Sequence, residues 1–382
     1  MGRRLPHAQG TTHGRDSRRR KGQAVSQKTA RLAADLPAAA ASAIAVAARL
    51  LRAGQLVAFP TETVYGLGAD ATNAAAVAGI FAAKQRPLSD PLIVHIADLA
   101  EASRVVADFP EVAHELARRF WPGPLTLILP RAASIPPIVA AGGATVGLRM
   151  PAHPVALALI QAAGVPVAAP SANRFMHTSP TTAEHVLADL DGRIAAVLDG
   201  GPCAVGVESA VLDLTTTPPR LLRPGGVTLE QLREVVPDVV GPATDAELSA
   251  AGEADVARAP GQMPRHYAPH TRLIVYAATG EAGRAATLAG ARRALADGLR
   301  VGALAPDEEA ADLEALGVAV ERLGPSAAPA EQTRRLYAAL RALDTRGCDL
   351  LLAHSFPRAG LGLALADRLR RAAGGRLTPP GE

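Results

Sequence analysis

The stretch FPTETVYGLGAD, Phe59 to Asp70, sets two threonines around a glutamate directly after a short apolar run. In an extended segment Thr61 and Thr63 face one side and Glu62 the other, so two hydroxyls share a face. Such a face can hold an amino acid or a phosphate; it can equally be a turn whose hydroxyls bond their own backbone. Lys84-Gln85-Arg86-Pro87 offers a mobile point charge and a planar fork, suited to an oligophosphate. The same cations would also sit well at a helix C-terminus. Ser171-Ala172-Asn173, with Ser179 beyond, can bind phosphate oxygens or form an ordinary turn. Arg149 ends the apolar TVGL and precedes Met150-Pro151; a partly desolvated guanidinium there requires an anion, from the protein or from a substrate.

The elements that must carry these groups follow from pattern and punctuation. A helix is expected near 41–52, then a strand at Leu56–Phe59 and a loop through the TETVYGLG turn. Asn73 is a good N-cap for a helix through Ala83, and Pro87 bars its continuation. PLIVHI, PLTLILP, TVGLRMP, PVAAPSAN, AAVLDGG and SAVLDL read as strands, with a helix at 111–120. Strands outnumber helices late in this region, which favours a mixed sheet. From Arg272 onward RLIVY, RVGALA, VAVERL and CDLLLAH alternate with helical segments near 284–297, 330–344 and 361–373, the pattern of a small doubly wound, Rossmann-like parallel sheet. The expected organisation is α/β throughout: a disordered basic extension at 1–37, a catalytic domain at 38–240, a linker or lid at 241–271 and a small α/β domain at 272–382.

Composition narrows the function classes. Apolar residues make up 48% but aromatics only 3%, so the cores must be built from Ala, Val and Leu. Nine Lys/Arg and one acid give residues 1–31 a charge of +8, so a chain of net +4 leaves about −4 for the rest. The arm is expected to be a solvated extension or a weak polyanion contact. Cys203 and Cys348 have no pairing framework and no metal-ligand spacing, and no protein-held metal site is expected. No apolar run of membrane-spanning length and no secretory signal is read, which favours a cytoplasmic protein.

Seven segments occur in order: FPTETVYGLGADAT, KQRPLSDPLIVHI, FWPGPLTLIL, GLRMPAHP, APSAN, GVESAVLDL and LLRPGG. By these the chain strongly resembles the YrdC-like threonylcarbamoyl-AMP synthases. GQMPRHYAPH and the extra α/β domain resemble the longer, two-domain form, and the resemblance spans about residues 40–375. It implies a nucleotidyltransferase that turns L-threonine, bicarbonate and ATP, with Mg²⁺, into threonylcarbamoyl-AMP and pyrophosphate. The product would pass to the separate machinery that makes t⁶A in tRNA, with weak or no direct tRNA binding and no membrane contact.

By the same resemblance, Thr61, His95, Arg149 and Ser209 would contact threonine, Arg149 through its carboxylate. Lys84 and Arg86 would form the catalytic phosphate clamp. Thr145, Ser171, Asn173, Ser179 and Arg223 would line the ATP site. Tyr267, with His266 beside it, would close over the nucleotide. Two positions depart from the family pattern. Arg174-Phe175-Met176-His177 replaces a small, Gly-containing turn, and Ala210 stands where the family usually has threonine. Two rival readings are an RNA-binding module, which the acidic body and scarce aromatics oppose, and a carbamoyl-transfer enzyme with a YrdC-like site, for which the chain lacks CxxC pairs and length.

Overall fold

The computed structural model describes residues 1–2, 28–34, 37–243, 260, 263 and 265–381. Most of the basic arm and much of the expected linker lie outside the described residues.

The first unit is a mixed sheet of ten strands. In chain order they are β1 (Ala30–Ala33), β2 (Val57–Phe59), β3 (Gly66–Asp70), β4 (Ile93–His95), β5 (Leu125–Pro130), β6 (Thr145–Arg149), β7 (Val167–Ala168), β8 (Ala196–Asp199), β9 (Ala210–Asp213) and β10 (Arg220–Arg223). They are ordered β1-β8-β2-β3-β7-β4-β6-β5-β9-β10. Helices α1 (Pro37–Arg52), α2 (Ala74–Lys84), α3 (Glu111–Phe120), α4 (Pro154–Ala163), α5 (Ala183–Leu190) and α6 (Leu229–Val235) complete this unit.

Strand alternation divides the sheet. Val94, Leu127, Leu148, Ala210 and Leu212 enter the main apolar core. By the period of two, Ile93, His95, Thr126, Arg149 and Ser209 take the opposite face. α1 and α4 cover part of that second face, packing with Val57, Phe59 and Val167. The site occupies the remainder.

Two expectations are corrected here, and one holds. The extension does not run to residue 37, because β1 pairs in parallel with β8 and Thr29 Oγ1 donates to the Ile194 carbonyl at 3.0 Å. The polar GLGAD segment is not a loop but β3, antiparallel to β2. Gly68 lets the two strands close up: a Cβ there would sit 2.8 Å from the Phe59 ring. Helix α2 does begin at the Asn73 cap, whose side chain accepts from Ala75 N and Ala76 N.

The second unit holds β11 (Leu273–Tyr276), α7 (Gly280–Ala296), β12 (Val301–Ala305), α8 (Asp307–Ala315), β13 (Ala319–Arg322), α9 (Pro329–Thr345), β14 (Leu350–His354) and α10 (Leu361–Ala372). Its four strands are all parallel, in the order β11-β14-β12-β13. Along β14, Leu350 and Leu352 enter a core with α7 and α8, whereas Leu351 and Ala353 enter one with α9 and α10. Helices therefore cover both faces, as expected for a doubly wound sheet. Helix α8 is an element the sequence reading did not contain.

The two units dock closely. Val64 and Val207 of the first unit belong to the α9–α10 core of the second. Gly206, at φ 83°, lies against α9 so tightly that a Cβ would sit 2.4 Å from Arg334 Cα.

Candidate active site

The β2–β3 turn supplies the first wall. The Thr61 hydroxyl donates to the Val64 carbonyl at 2.6 Å and accepts from the backbone N–H of Thr63 and Val64. It also lies 2.8 Å from Thr63 Oγ1. The turn therefore satisfies itself, and both hydroxyl-bearing residues still line the cavity. Glu62 points the other way and meets Arg149 at 2.6 Å, so the anion that Arg149 requires comes from the protein. Arg149 also donates to the Gly123 carbonyl and to Thr63 Oγ1. Its Nη1 has no partner among the described residues.

Register places His95 beside Arg149, at the ends of the parallel strands β4 and β6. Burial pushes the His95 imidazole down to about 3, with the Arg149 charge adding to the effect, so the ring is neutral. Its Nδ1 has no hydrogen-bond partner among the described residues. Arg86, just past α2, pairs with Asp90 at 2.9 Å and donates to the Asp90 and Pro91 carbonyls, leaving Nη1 over. Arg223, at the end of β10, donates to Ser209 Oγ and to the carbonyls of Ser209 and Pro260.

The roof is the far end of the expected lid. His266 and Tyr267 are buried and line the same cavity. Burial, then the charges of Arg86 and Lys84, push His266 well below its ordinary value, and neither ring nitrogen finds a hydrogen-bond partner among the described residues. Tyr267 holds φ 59°, a conformation that a bulky residue keeps only when its surroundings impose it. Ala268 N donates to the Met176 carbonyl at 2.8 Å, tying this strap to the loop after SAN. With the strap in place the cavity measures about 50 Å³.

Behind the roof the second unit reaches in. Glu208 accepts from Ser179 Oγ at 2.6 Å, from the Tyr337 hydroxyl at 2.9 Å and from Arg368 Nε at 2.7 Å. Burial drives this carboxyl up, but Arg368 and Arg223 outweigh it and hold it below its ordinary value. The Arg368 guanidinium also lies 5.0 Å from the Tyr267 ring centroid. Sequence reasoning missed Glu62, Glu208, Tyr337 and Arg368. The glutamates stand inside quoted motifs, TETVY and GVES; the other two sit on helices that read as ordinary amphipathic faces.

Of the residues named from sequence, Thr61, Arg86, His95, Arg149, Ser171, Ser209, Arg223, His266 and Tyr267 converge on one cavity. Lys84, Thr145, Asn173 and Ser179 do not line it. The Lys84 ammonium is fully buried and donates to the Ser171 and Asn173 carbonyls. It braces the SAN loop here instead of standing free as a clamp. Asn173 Nδ2 donates to the Arg174 and His177 carbonyls, and Ser179 serves Glu208. Thr145 opens β6, four residues before Arg149. The two departures resolve simply: Met176 adopts φ 70°, the geometry a glycine would favour, and Ala210 faces the apolar core, where a hydroxyl would miss the cavity.

Comparison with known proteins places the whole arrangement. A family model described as Sua5_yciO_yrdC, telomere recombination, matches residues 49–225. The threonylcarbamoyl-AMP synthases of Bacillus subtilis and Pyrococcus abyssi are 48% and 44% identical to this chain over 336 residues, covering 87% of it and 94% and 95% of theirs. The crystal structure of P. abyssi Sua5 complexed with L-threonine is similar with a TM-score of 0.82 at 40% identity, covering 92% of this chain and 99% of that one. A further model, described as threonylcarbamoyl-AMP synthase, C-terminal domain, matches residues 227–374, and with both units so matched the chain belongs to the threonylcarbamoyl-AMP synthase family.

Proposed function

We propose that this chain joins L-threonine, bicarbonate and MgATP into L-threonylcarbamoyl-AMP with release of pyrophosphate, and so acts as a nucleotidyltransferase supplying the t⁶A modification of tRNA. One observation carries the reading. Three buried arginines, Arg86, Arg149 and Arg223, line one cavity: Arg86 and Arg149 are held by Asp90 and Glu62 yet each keeps Nη1 without a partner among the described residues, and Arg223 forms no ion pair among them. Oriented guanidinium donors of this kind suit a carboxylate and a polyphosphate together.

The threonine amine attacks the carbon of bicarbonate with loss of water, or of CO₂ with loss of an amine proton, giving a carbamate either way. A carbamate oxygen then attacks the α-phosphorus, the bond to the β-phosphate breaks, and pyrophosphate leaves with the electron pair. No protein nucleophile is required. Arg149 Nη1 is the group left for the threonine carboxylate, and neutral His95 can accept a hydrogen bond from the substrate. Arg86 Nη1 and Arg223 stand where phosphate charge would gather. Among the described residues no group of three or more His, Cys, Asp or Glu could hold a metal ion, and Mg²⁺ would arrive on the phosphates.

Small-molecule sites run to roughly 300–1,000 Å³, far above the present cavity, so the strap at His266–Tyr267 withdraws to admit ATP and returns to exclude water from the labile carbamate. The test is pyrophosphate release with threonine or bicarbonate omitted in turn. Release that needs both supports the reading. Equal release with serine, or with no amino acid, overturns it.

A further inference from the structure

A second and larger cavity, of about 480 Å³, lies between the two units. On one side are the segments that follow β11 and β14, through Thr279 and Phe356. Those two strands are neighbours, yet their next helices leave on opposite faces: α7 packs into the Tyr276–Leu352 core and α10 into the Leu351–Ala353 core. Divergence of this kind opens a crevice at the carboxyl ends of the strands, where α/β sheets bind ligands. The other side is β10 of the first unit, through Arg220 and Leu222.

The chemistry of the walls is two-sided. Phe356, Leu222 and Leu363 make an apolar surface, and Arg220 and Arg358 add positive charge. The only carboxylate among the described lining residues is Asp367, which is committed to Arg368 at 2.6 Å, to Arg371 at 2.9 Å and to Arg370 at 3.8 Å. Arg220 and Arg358 meet no carboxylate among the described residues. A cavity of this size falls within the range of small-molecule sites, about 300–1,000 Å³. Its place in a crevice between two units suits a compact ligand.

We infer that this cavity binds a small phosphate ester with an apolar or planar body, of mononucleotide size. The apolar surface would take the body and the arginines the phosphoryl oxygens. It shares no lining residue with the first cavity, so it stands or falls apart from the proposed synthesis.

The test is calorimetric titration of the full chain with AMP, adenosine and inorganic phosphate, repeated on the Arg220→Glu/Arg358→Glu double variant. The charge reversals are expected to weaken one AMP-binding component about tenfold or more, as a loss of roughly 1.4 kcal/mol per decade implies. Adenosine binds at least that much more weakly than AMP to the wild type, and pyrophosphate release is unchanged in the variant. If the double variant fails to fold, Arg358→Ala alone, in an exposed loop, is expected to weaken the same component. Absence of AMP binding, an AMP isotherm unchanged by either variant, or equal affinity for adenosine overturns the site. Inorganic phosphate competing as strongly as AMP overturns the mononucleotide class, since the apolar surface would then play no part.

Discussion

Lys84 turns its ammonium onto the Ser171 and Asn173 carbonyls, whereas Arg86, two residues on, keeps Nη1 for the cavity. Their substitutions are therefore expected to separate. Lys84→Met leaves two buried carbonyls short of a donor and should cost about 1–3 kcal/mol of stability. Arg86→Lys preserves a cation beside Asp90 but loses the fork, and should lower turnover by about 10²–10³-fold, with a stability cost no larger than that of Lys84→Met for the Asp90 and Pro91 carbonyls it leaves short of a donor. Urea unfolding and pyrophosphate release measure the two effects. A Lys84→Met protein of normal stability and abolished turnover would restore the clamp reading. The neutral histidines make a second prediction. His95 is held down to about 3 by burial, so below about 6.5 the unfolded chain takes up a proton that the folded one refuses. Stability then falls as pH drops through the window from about 6.5 toward 3, by roughly 1.4 kcal/mol per unit for one such group. His266 acts in the same direction, as does His185, which burial brings down to about 4. His354 opposes them: burial pulls it down, but Glu309 outweighs this and raises it, so its contribution is lost as pH rises. Urea midpoints at pH 7.5 and 5.5 should show a net loss at the lower pH, and His95→Asn should shrink it. A midpoint that stays level across the two pH values would mean that the buried rings take up protons in the folded state.

At the scale of elements, β1 alters what the N-terminal arm can lose. Deleting residues 1–27 is expected to leave the melting temperature unchanged. Deleting 1–34 removes the β1–β8 pairing, the Thr29 bonds to Ile194 and Asp191, and the Arg31 pairs with Asp199 and Glu184. At about 0.5–1.5 kcal/mol for each net hydrogen bond, several bonds amount to roughly 2–4 kcal/mol, and a drop of about 5 °C or more should follow. The bared edge of β8 should also promote aggregation, seen by light scattering. Identical melting of the two truncated forms would make β1 a passive addition. β1 was not legible because its four residues, ARLA, are too short to show a period and sit beside a basic run. β4, β5, β6 and β14 were legible because their apolar runs are bounded by proline or charge. β3 was hidden by its glycines, which serve strand packing where a loop was read. The site residues were legible from ordered motifs, but their placement was not. His95, Arg149 and Arg223 do stand at strand ends, but that Ile93, His95, Arg149 and Ser209 share one face follows from strand pairing and the period of two, which no single segment displays.

For the whole molecule, the question is whether the second unit merely rides on the first. Tyr337 and Arg368 hold the Glu208 carboxylate, Arg371 donates to the Met263 carbonyl at 2.6 Å, and the Arg371 carbonyl accepts from His266 N. Both the back wall of the cavity and the anchor of its strap thus come from α9 and α10. Contacts of this kind were invisible in sequence, since Glu208 and Arg368 stand 160 residues apart and no local pattern links them. Residues 28–240 alone should still fold, because the main core of the first unit draws on its own strands and helices. They should nonetheless release pyrophosphate at least about tenfold more slowly, since the fragment lacks the His266–Tyr267 strap altogether, and each 1.4 kcal/mol of lost closure is a factor of ten. Truncation also exposes Val64 and Val207, so a slower fragment could reflect a disturbed β2–β3 turn. Tyr337→Phe in the full chain separates the two causes. It removes one hydrogen bond to Glu208 while keeping the ring, and should cost only about 1 kcal/mol of stability. If positioning of Glu208 matters, turnover falls in this variant although the fold and the docking of the units survive. A fragment and a Tyr337→Phe protein that both match the full chain in turnover would show that the second unit takes no part in the chemistry.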